Sequence, residues 1–185
     1  MLYLCSGSPT RAGLLERHGI AYTQKPVVFD EEALDFARAE DFVYHAAKGK
    51  LEVAERAYGL EMPLLSADTV IAAADGSILR KAIDRDDARR ILMTQSGSQI
   101  AIITSLHYKR RDLYATDTSA TYYRFASFDS DALEAYLQSD AWQGKAGACM
   151  VEGFCKPYIQ SVDGWESTAM GLQVEVLKPW LERVA

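Results

Sequence analysis

The sequence has 185 residues, 49% of them hydrophobic and 25% charged, and carries a net charge of −6. This length and mix suit one sizeable core and exclude wholesale disorder, while the acidic balance argues against a grip on a nucleic-acid duplex. No apolar run is long enough to span a bilayer, and no basic-then-apolar leader opens the sequence, so the expectation is a single cytoplasmic domain over 1–185, possessing two lobes and having neither membrane nor nucleic-acid partners.

The opening run Leu2, Tyr3, Leu4, Cys5 reads as a strand that breaks at Ser6-Gly7-Ser8-Pro9-Thr10-Arg11 and continues as a helix over 11–18, stopped by Gly19. The free N–H groups and positive dipole end of such a helix form a candidate anion site, to which Ser6, Ser8 and Arg11 can add. A plain capped helix, with Ser8 at the N-cap and Pro9 at the first helical position, accounts for the same residues. Residues 22–29 read as extended and lead into Asp30-Glu31-Glu32, either an acidic helix start or a carboxylate source for a divalent cation. The longest helical pattern covers 41–58, with Phe42, Val43, Ala46, Ala47, Leu51, Ala54 and Ala57 as its apolar stripe and Gly59 as its stop. It carries Lys48 and Lys50, for which a solvated surface is the plain expectation.

Residues 63–72 form a near-continuous apolar run, the signature of a strand buried on both faces, and Asp68 interrupts it. A carboxylate is rarely buried without a partner, so Asp68 is the single position where a functional role outweighs a structural one. Ala74-Asp75-Gly76-Ser77 marks a hairpin that returns towards Arg80-Lys81. A helix over 84–94, strands over 100–108 and 113–126, and a helix from Asp129 or Ser130 to Gln138 follow. The loop Trp142-Gln143-Gly144-Lys145-Ala146-Gly147-Ala148 is glycine-rich but lacks P-loop spacing. An extended stretch over 158–162, an ambiguous one over 167–172 and a closing helix over 174–181 complete the chain. Cys5, Cys149 and Cys155 lack paired spacing and are expected as free core thiols, and His18, His45 and His107 form no metal motif.

Taken in order, these motifs resemble the Maf family, also called septum-formation inhibitors. The resemblance runs from Leu4 to about Leu172 and rests on Ser6-x-Ser8-Pro9-x-Arg11, Asp30-Glu31, Lys48, Ala67-Asp68-Thr69-Val70, Lys81, Ser96-Gly97, Thr104, Lys145-Ala146-Gly147-Ala148, Glu152-Gly153 and Gly171-Leu172. It implies an α/β fold, a long mixed, largely antiparallel sheet flanked by helices, with two lobes and a central cleft, related in type to inosine triphosphate pyrophosphatase. It also implies hydrolysis of the α–β phosphoanhydride of nucleotides outside the standard set, giving a nucleoside monophosphate and pyrophosphate. By the resemblance, Ser6, Ser8, Thr10 and Arg11 bind substrate, Lys48 and Lys81 line the phosphates, and Asp68 is the general base. Asp68 and Glu31 together would hold Mg²⁺ or Mn²⁺, and the protein would form a homodimer.

The departures bear on the substrate. Many members have two adjacent arginines where this chain has Thr10-Arg11, a Gly-Lys-Pro where it has Arg80-Lys81-Ala82, and a Gly-Leu-Pro where it has Gly171-Leu172-Gln173. Glu152 stands where members acting on thymidine and uridine triphosphates carry glutamine, and the branch resembling 7-methyl-GTP pyrophosphatases carries Glu-Gly-Phe as here. A carboxylate accepts two hydrogen bonds from the guanine edge and favours a methylated, cationic ring, so 7-methyl-GTP is the expected substrate. The alternatives are a dTTP/UTP pyrophosphatase and a nucleotide-binding division regulator with little catalysis.

Overall fold

The computed structural model describes residues 1–31 and 33–182. Its elements, in chain order, are β1 (Leu2–Leu4), α1 (Pro9–Arg17), β2 (Tyr22–Gln24), α2 (Ala39–Tyr58), β3 (Leu64–Ala72), β4 (Ile78–Leu79), α3 (Arg85–Gln95), β5 (Gln99–Arg110), β6 (Leu113–Phe125), α4 (Ser130–Gln138), β7 (Ile159–Asp163), α5 (Glu166–Ala169) and α6 (Val174–Glu182). The sheet is mixed and seven-stranded, in the order β2-β1-β3-β5-β6-β7 with β4 paired to β3. β1 runs parallel to β2 and β3, whereas β4 and β7 pair antiparallel with β3 and β6. Among the described residues no helix is long and apolar enough to cross a membrane.

The chain divides into two compact units. The first holds Met1–Thr69, Ile103–Ala120 and the residues from Trp165; the second holds Val70–Ile102 and Thr121–Gly164. In the first unit the two-residue period of the strands sorts side chains between two helical layers. Leu2 and Leu4 of β1 and Leu65 and Ala67 of β3 pack with Leu14 and Leu15 of α1 and with Val174 and Leu177 of α6. Cys5 and Leu64 pack instead with Leu51 and Ala54 of α2, and Ser66 Oγ donates to Ala47 O at 2.8 Å.

Three local expectations change. The extended stretch expected over 22–29 is strand only in β2; Lys25 N–H still donates at 2.8 Å to the carbonyl of Leu4, the last residue of β1, and the chain leaves the sheet after it. Asp30 and Glu31 lie in the connection between β2 and α2 rather than opening a helix, and Glu32 lies outside the described residues. In the second unit Cys149 and Cys155 are not free thiols but a disulfide, with their Cα atoms 6.6 Å apart. The intervening residues fold back on themselves, Gly153 N–H donating to Met150 O at 2.9 Å, so a spacing that fits no familiar pair still brings the sulfurs together. Cys5 stays a free thiol, and burial pushes its pKa up to about 11.

His107 of β5 is fully buried, with Nδ1 2.8 Å from Tyr114 Oη and Nε2 3.3 Å from Ser105 Oγ. Burial, with the charge of Lys48 adding, pushes its pKa down from 6.5 to about 4. The folded protein therefore holds a neutral imidazole that the unfolded chain protonates below 6.5. Stability from this group is present above pH 6.5 and is lost as pH falls towards 4. Urea denaturation at pH 7 and pH 4.5 should show a loss of about 2 kcal/mol that His107→Gln largely removes.

Candidate active site

Two polar clusters lie on the two sides of β3, because consecutive residues of a strand face opposite layers. Asp68 continues the α2-facing set of Leu64 and Ser66, while Thr69 continues the α1-facing set of Leu65 and Ala67.

On the α2 side, Asp68 is 5% exposed and its Oδ1 lies 2.5 Å from Lys50 Nζ. Lys50 also pairs with the Glu31 carboxylate, so one ammonium is shared by two carboxylates from separate segments. Burial raises the Asp68 pKa above its usual 3.8, and the Glu31 charge adds to the rise; Lys50 and Arg11 oppose it. The resulting group is a carboxylate more basic than that of an exposed aspartate, which favours it as a proton acceptor.

On the α1 side, the anchor is Arg11. Ser8 Oγ accepts from Arg11 N–H at 3.3 Å as the N-cap of α1, with Pro9 opening the helix, so the capped-helix reading of this loop holds in the structure. The Arg11 guanidinium then turns inward. Nε donates to Gly171 O at 2.7 Å, one terminal nitrogen to Ser6 Oγ at 2.9 Å and the other to Thr69 Oγ1 at 3.0 Å. Thr104 Oγ1 donates its one proton to Thr168 O at 2.8 Å, so in the 2.8 Å contact between the two threonines Thr69 is the donor. The result is a directed chain from Arg11 through Thr69 and Thr104 to a backbone carbonyl. Gly171 has φ +93°, and a Cβ there would meet Thr69 Oγ1 at 3.0 Å and Arg11 Nε at 3.2 Å, so only glycine lets its carbonyl reach the guanidinium.

Of the residues expected at the site, the structure gathers Glu31 and Asp68 around Lys50, and Ser6 and Arg11 into the adjoining network. Lys48 is not brought to them. Its side chain is 42% exposed and lies 3.8 Å from Glu52, and its charge acts on His107 rather than on Asp68. Sequence reasoning passed over Lys50, yet the signal was there: it sits four residues after Ala46, three after Ala47 and four before Ala54, within the buried stripe that excludes Lys48. Thr10 is half-buried at the start of α1. Lys81 and Glu152 belong to the second unit. Lys81 forms an antiparallel bridge with Ala146, and Glu152 is exposed on the loop closed by the disulfide. Gln173, one of the departures, is fully buried in the first unit and donates to Thr104 O at 2.6 Å.

Among the described residues no group of three metal-binding side chains occurs. Glu31 and Asp68 nevertheless fit a hard divalent cation as a pair, since both already converge on one positive charge and such ions accept one or two carboxylates when phosphate and water complete the shell.

Arg11→Ala strips three internal acceptors of their donor. The loss therefore falls on stability as well as on any catalysis that the sequence reading assigned to this side chain, and equilibrium urea unfolding should register about 3 kcal/mol.

A family model described as Maf-like protein matches residues 1–184. The chain is 54% identical over 179 residues, 96% of each chain, to a protein of Nitratiruptor sp. named nucleoside triphosphate pyrophosphatase. It is 39% identical over 95% of its length and 92% of the other's to a protein of that name from Helicobacter pylori (strain G27). A protein of Methylobacillus flagellatus named dTTP/UTP pyrophosphatase is 34% identical, with 92% of this chain and 86% of that one aligned. With the ordered motifs carried on a mixed, helix-flanked sheet, the chain belongs to the Maf-like protein family.

Proposed function

We propose that this chain is a nucleoside triphosphate pyrophosphatase, hydrolysing the α–β phosphoanhydride to a nucleoside monophosphate and pyrophosphate. The observation that carries the reading is the Lys50-bridged pair of Glu31 and Asp68 in a chain more than half identical to a protein of that name.

Cleavage of a phosphoanhydride asks mainly for positioning and for neutralisation of spread negative charge. Asp68, its ionisation shifted upward by burial, accepts a proton from the attacking water. Lys50 keeps Asp68 oriented and supplies positive charge beside it. The oxygens of Ser6 and Ser8 each already accept an N–H bond, which leaves their hydroxyl protons to donate to phosphate. The buried Arg11 adds a fixed positive charge below the loop and holds Ser6 in place. Glu31 and Asp68 would hold Mg²⁺ or Mn²⁺, which when bound neutralises phosphate charge and lowers the pKa of water. Lys81 and Glu152, on the second unit, keep the phosphate and base-reading roles that the family resemblance implies.

For the base, Glu152 supports 7-methyl-GTP through the guanine edge and the cationic ring. The relative named for dTTP and UTP supports a pyrimidine instead. Homodimerisation and a cytoplasmic site of action remain part of the proposal, to be read by light scattering and by localisation of the tagged protein.

Purified protein with Mg²⁺, screened over standard and modified nucleoside triphosphates with pyrophosphate as the readout, should turn over 7-methyl-GTP fastest. A clear pyrimidine preference would replace the guanine assignment, and tight binding without turnover across the panel would favour a division regulator. Asp68→Asn should lower kcat by about a thousandfold or more while leaving the thermal midpoint close to that of the parent. Full activity in that variant would remove Asp68 as the base. Glu152→Gln should shift preference from guanine towards thymine or uracil nucleotides, read as a ratio of kcat/KM values.

A further inference from the structure

Residues 27–31 lay alternate side chains onto α2. Val27 packs against the cluster of Leu51, Ala54, Leu64 and Cys5, and Glu31 pairs with Lys50. Between them, the Phe29 ring lies against Gly49, where a Cβ would sit 2.3 Å from Cε2 and Cζ of the ring and 2.9 Å from Cε1. Val28, by contrast, is 93% exposed, and Asp30 is exposed too. This is the two-residue period of an extended strand applied to a helix surface, with no strand pairing to fix its register.

Glycine in the middle of a helix costs stability relative to alanine, and Gly49 stands well inside α2. The notch it leaves is filled by an aromatic ring two residues before Glu31, and the next helical residue is the lysine that receives the Glu31 carboxylate. A ring in a notch and an ion pair one step along join the same two segments. An ion pair alone sets a poor register, because a lysine ammonium on a flexible stem accepts a carboxylate from many directions. A planar ring against a bare backbone has one seat.

We infer that Phe29 seated on Gly49 positions Glu31, fixing how far along α2 the carboxylate lies and hence its place beside Lys50 and Asp68. Both residues act through Glu31 as positioning residues. The inference rests on the hydrolase reading above for its effect on rate, but the seat itself is read independently of it.

The test is a double-mutant cycle of the parent, Gly49→Ala, Phe29→Ala and the double variant. Two readouts are followed: kcat and KM on the nucleotide that the parent hydrolyses best, and amide hydrogen exchange of residues 27–31. Gly49→Ala should lower kcat about tenfold, the scale on which small misplacements act, with KM changed by less than about threefold. Its thermal midpoint should stay close to that of the parent, because the helix gain of alanine offsets the packing that the displaced ring loses. A fold loss cannot then explain the rate. Exchange over 27–31 should speed up in both single variants, and the double variant should be no worse than Phe29→Ala alone, since the ring that alanine displaces is gone. Parental kcat and exchange in Gly49→Ala, or losses that simply add in the double variant, would overturn the inference. If the parent hydrolyses no nucleotide, the hydrolase reading fails by itself, and the exchange cycle still decides the seat: coupled acceleration upholds it and unchanged exchange overturns it.

Discussion

One ammonium shared by two carboxylates is the constraint around which the first unit is arranged. Asp68 sits in the middle of a strand covered on both faces, where an unpaired carboxylate would have to give up its charge. Lys50 lets it stay there, and Lys50 is in reach only because α2 crosses that face of β3 with Ala46, Ala47 and Ala54 turned inward. Small side chains on the helix bring its backbone close to the sheet, and closeness is what a lysine needs to meet a buried strand residue with most of its own stem covered. Glu31 completes the set from a connection that owes its course to α2. The helix thus supplies the cation, the surface that guides the second carboxylate, and half of the core beneath.

The other face of the same strand solves a different problem. Arg11 is as buried as Asp68 but meets neutral acceptors, one backbone carbonyl and two hydroxyls. Burial lowers its pKa, and the nearby charges of Asp68 and Glu31 oppose the drop without cancelling it, so the charges on the two faces act on each other across the thickness of one strand. Positive charge lies on both sides of the Asp68–Thr69 step, and each side is held by a separate set of bonds.

Much of this was legible in the sequence, for reasons that differ by element. The longer helices and the long strands followed from apolar period and from caps such as Ser8 and Asp129, each of which accepts a backbone N–H, while Asp84, read as the first residue of a helix, proves to be the cap of α3. Asp68 stood out because a charge inside an apolar run demands a partner. Its partner was harder to name. Lys48 and Lys50 are two residues apart, motif matching preferred the first, and only the phase of the buried stripe separates them. The disulfide was invisible for another reason: six residues of turn decide whether two sulfurs meet, and no periodicity reports that. Nor does the sequence announce what replaces a missing turn proline at Gln173. The structure answers with an amide that donates to Thr104 O, the carbonyl of the same residue whose hydroxyl ends the Arg11 chain.

The bond from Arg11 to Gly171 spans 160 positions of the chain. A ribosome emits the first of these residues long before the second, and until the second appears the guanidinium has no carbonyl to complete its set. The loop at Ser6 to Arg11 can form its cap early, from neighbours, but its inward half must wait for nearly the whole chain. Contacts of such long range are slow to close, and the chain loses entropy in closing them before the bond returns anything. The loop that Arg11 anchors is therefore among the last segments to become final during synthesis, its inward half waiting until the region around Gly171 has left the exit tunnel and docked.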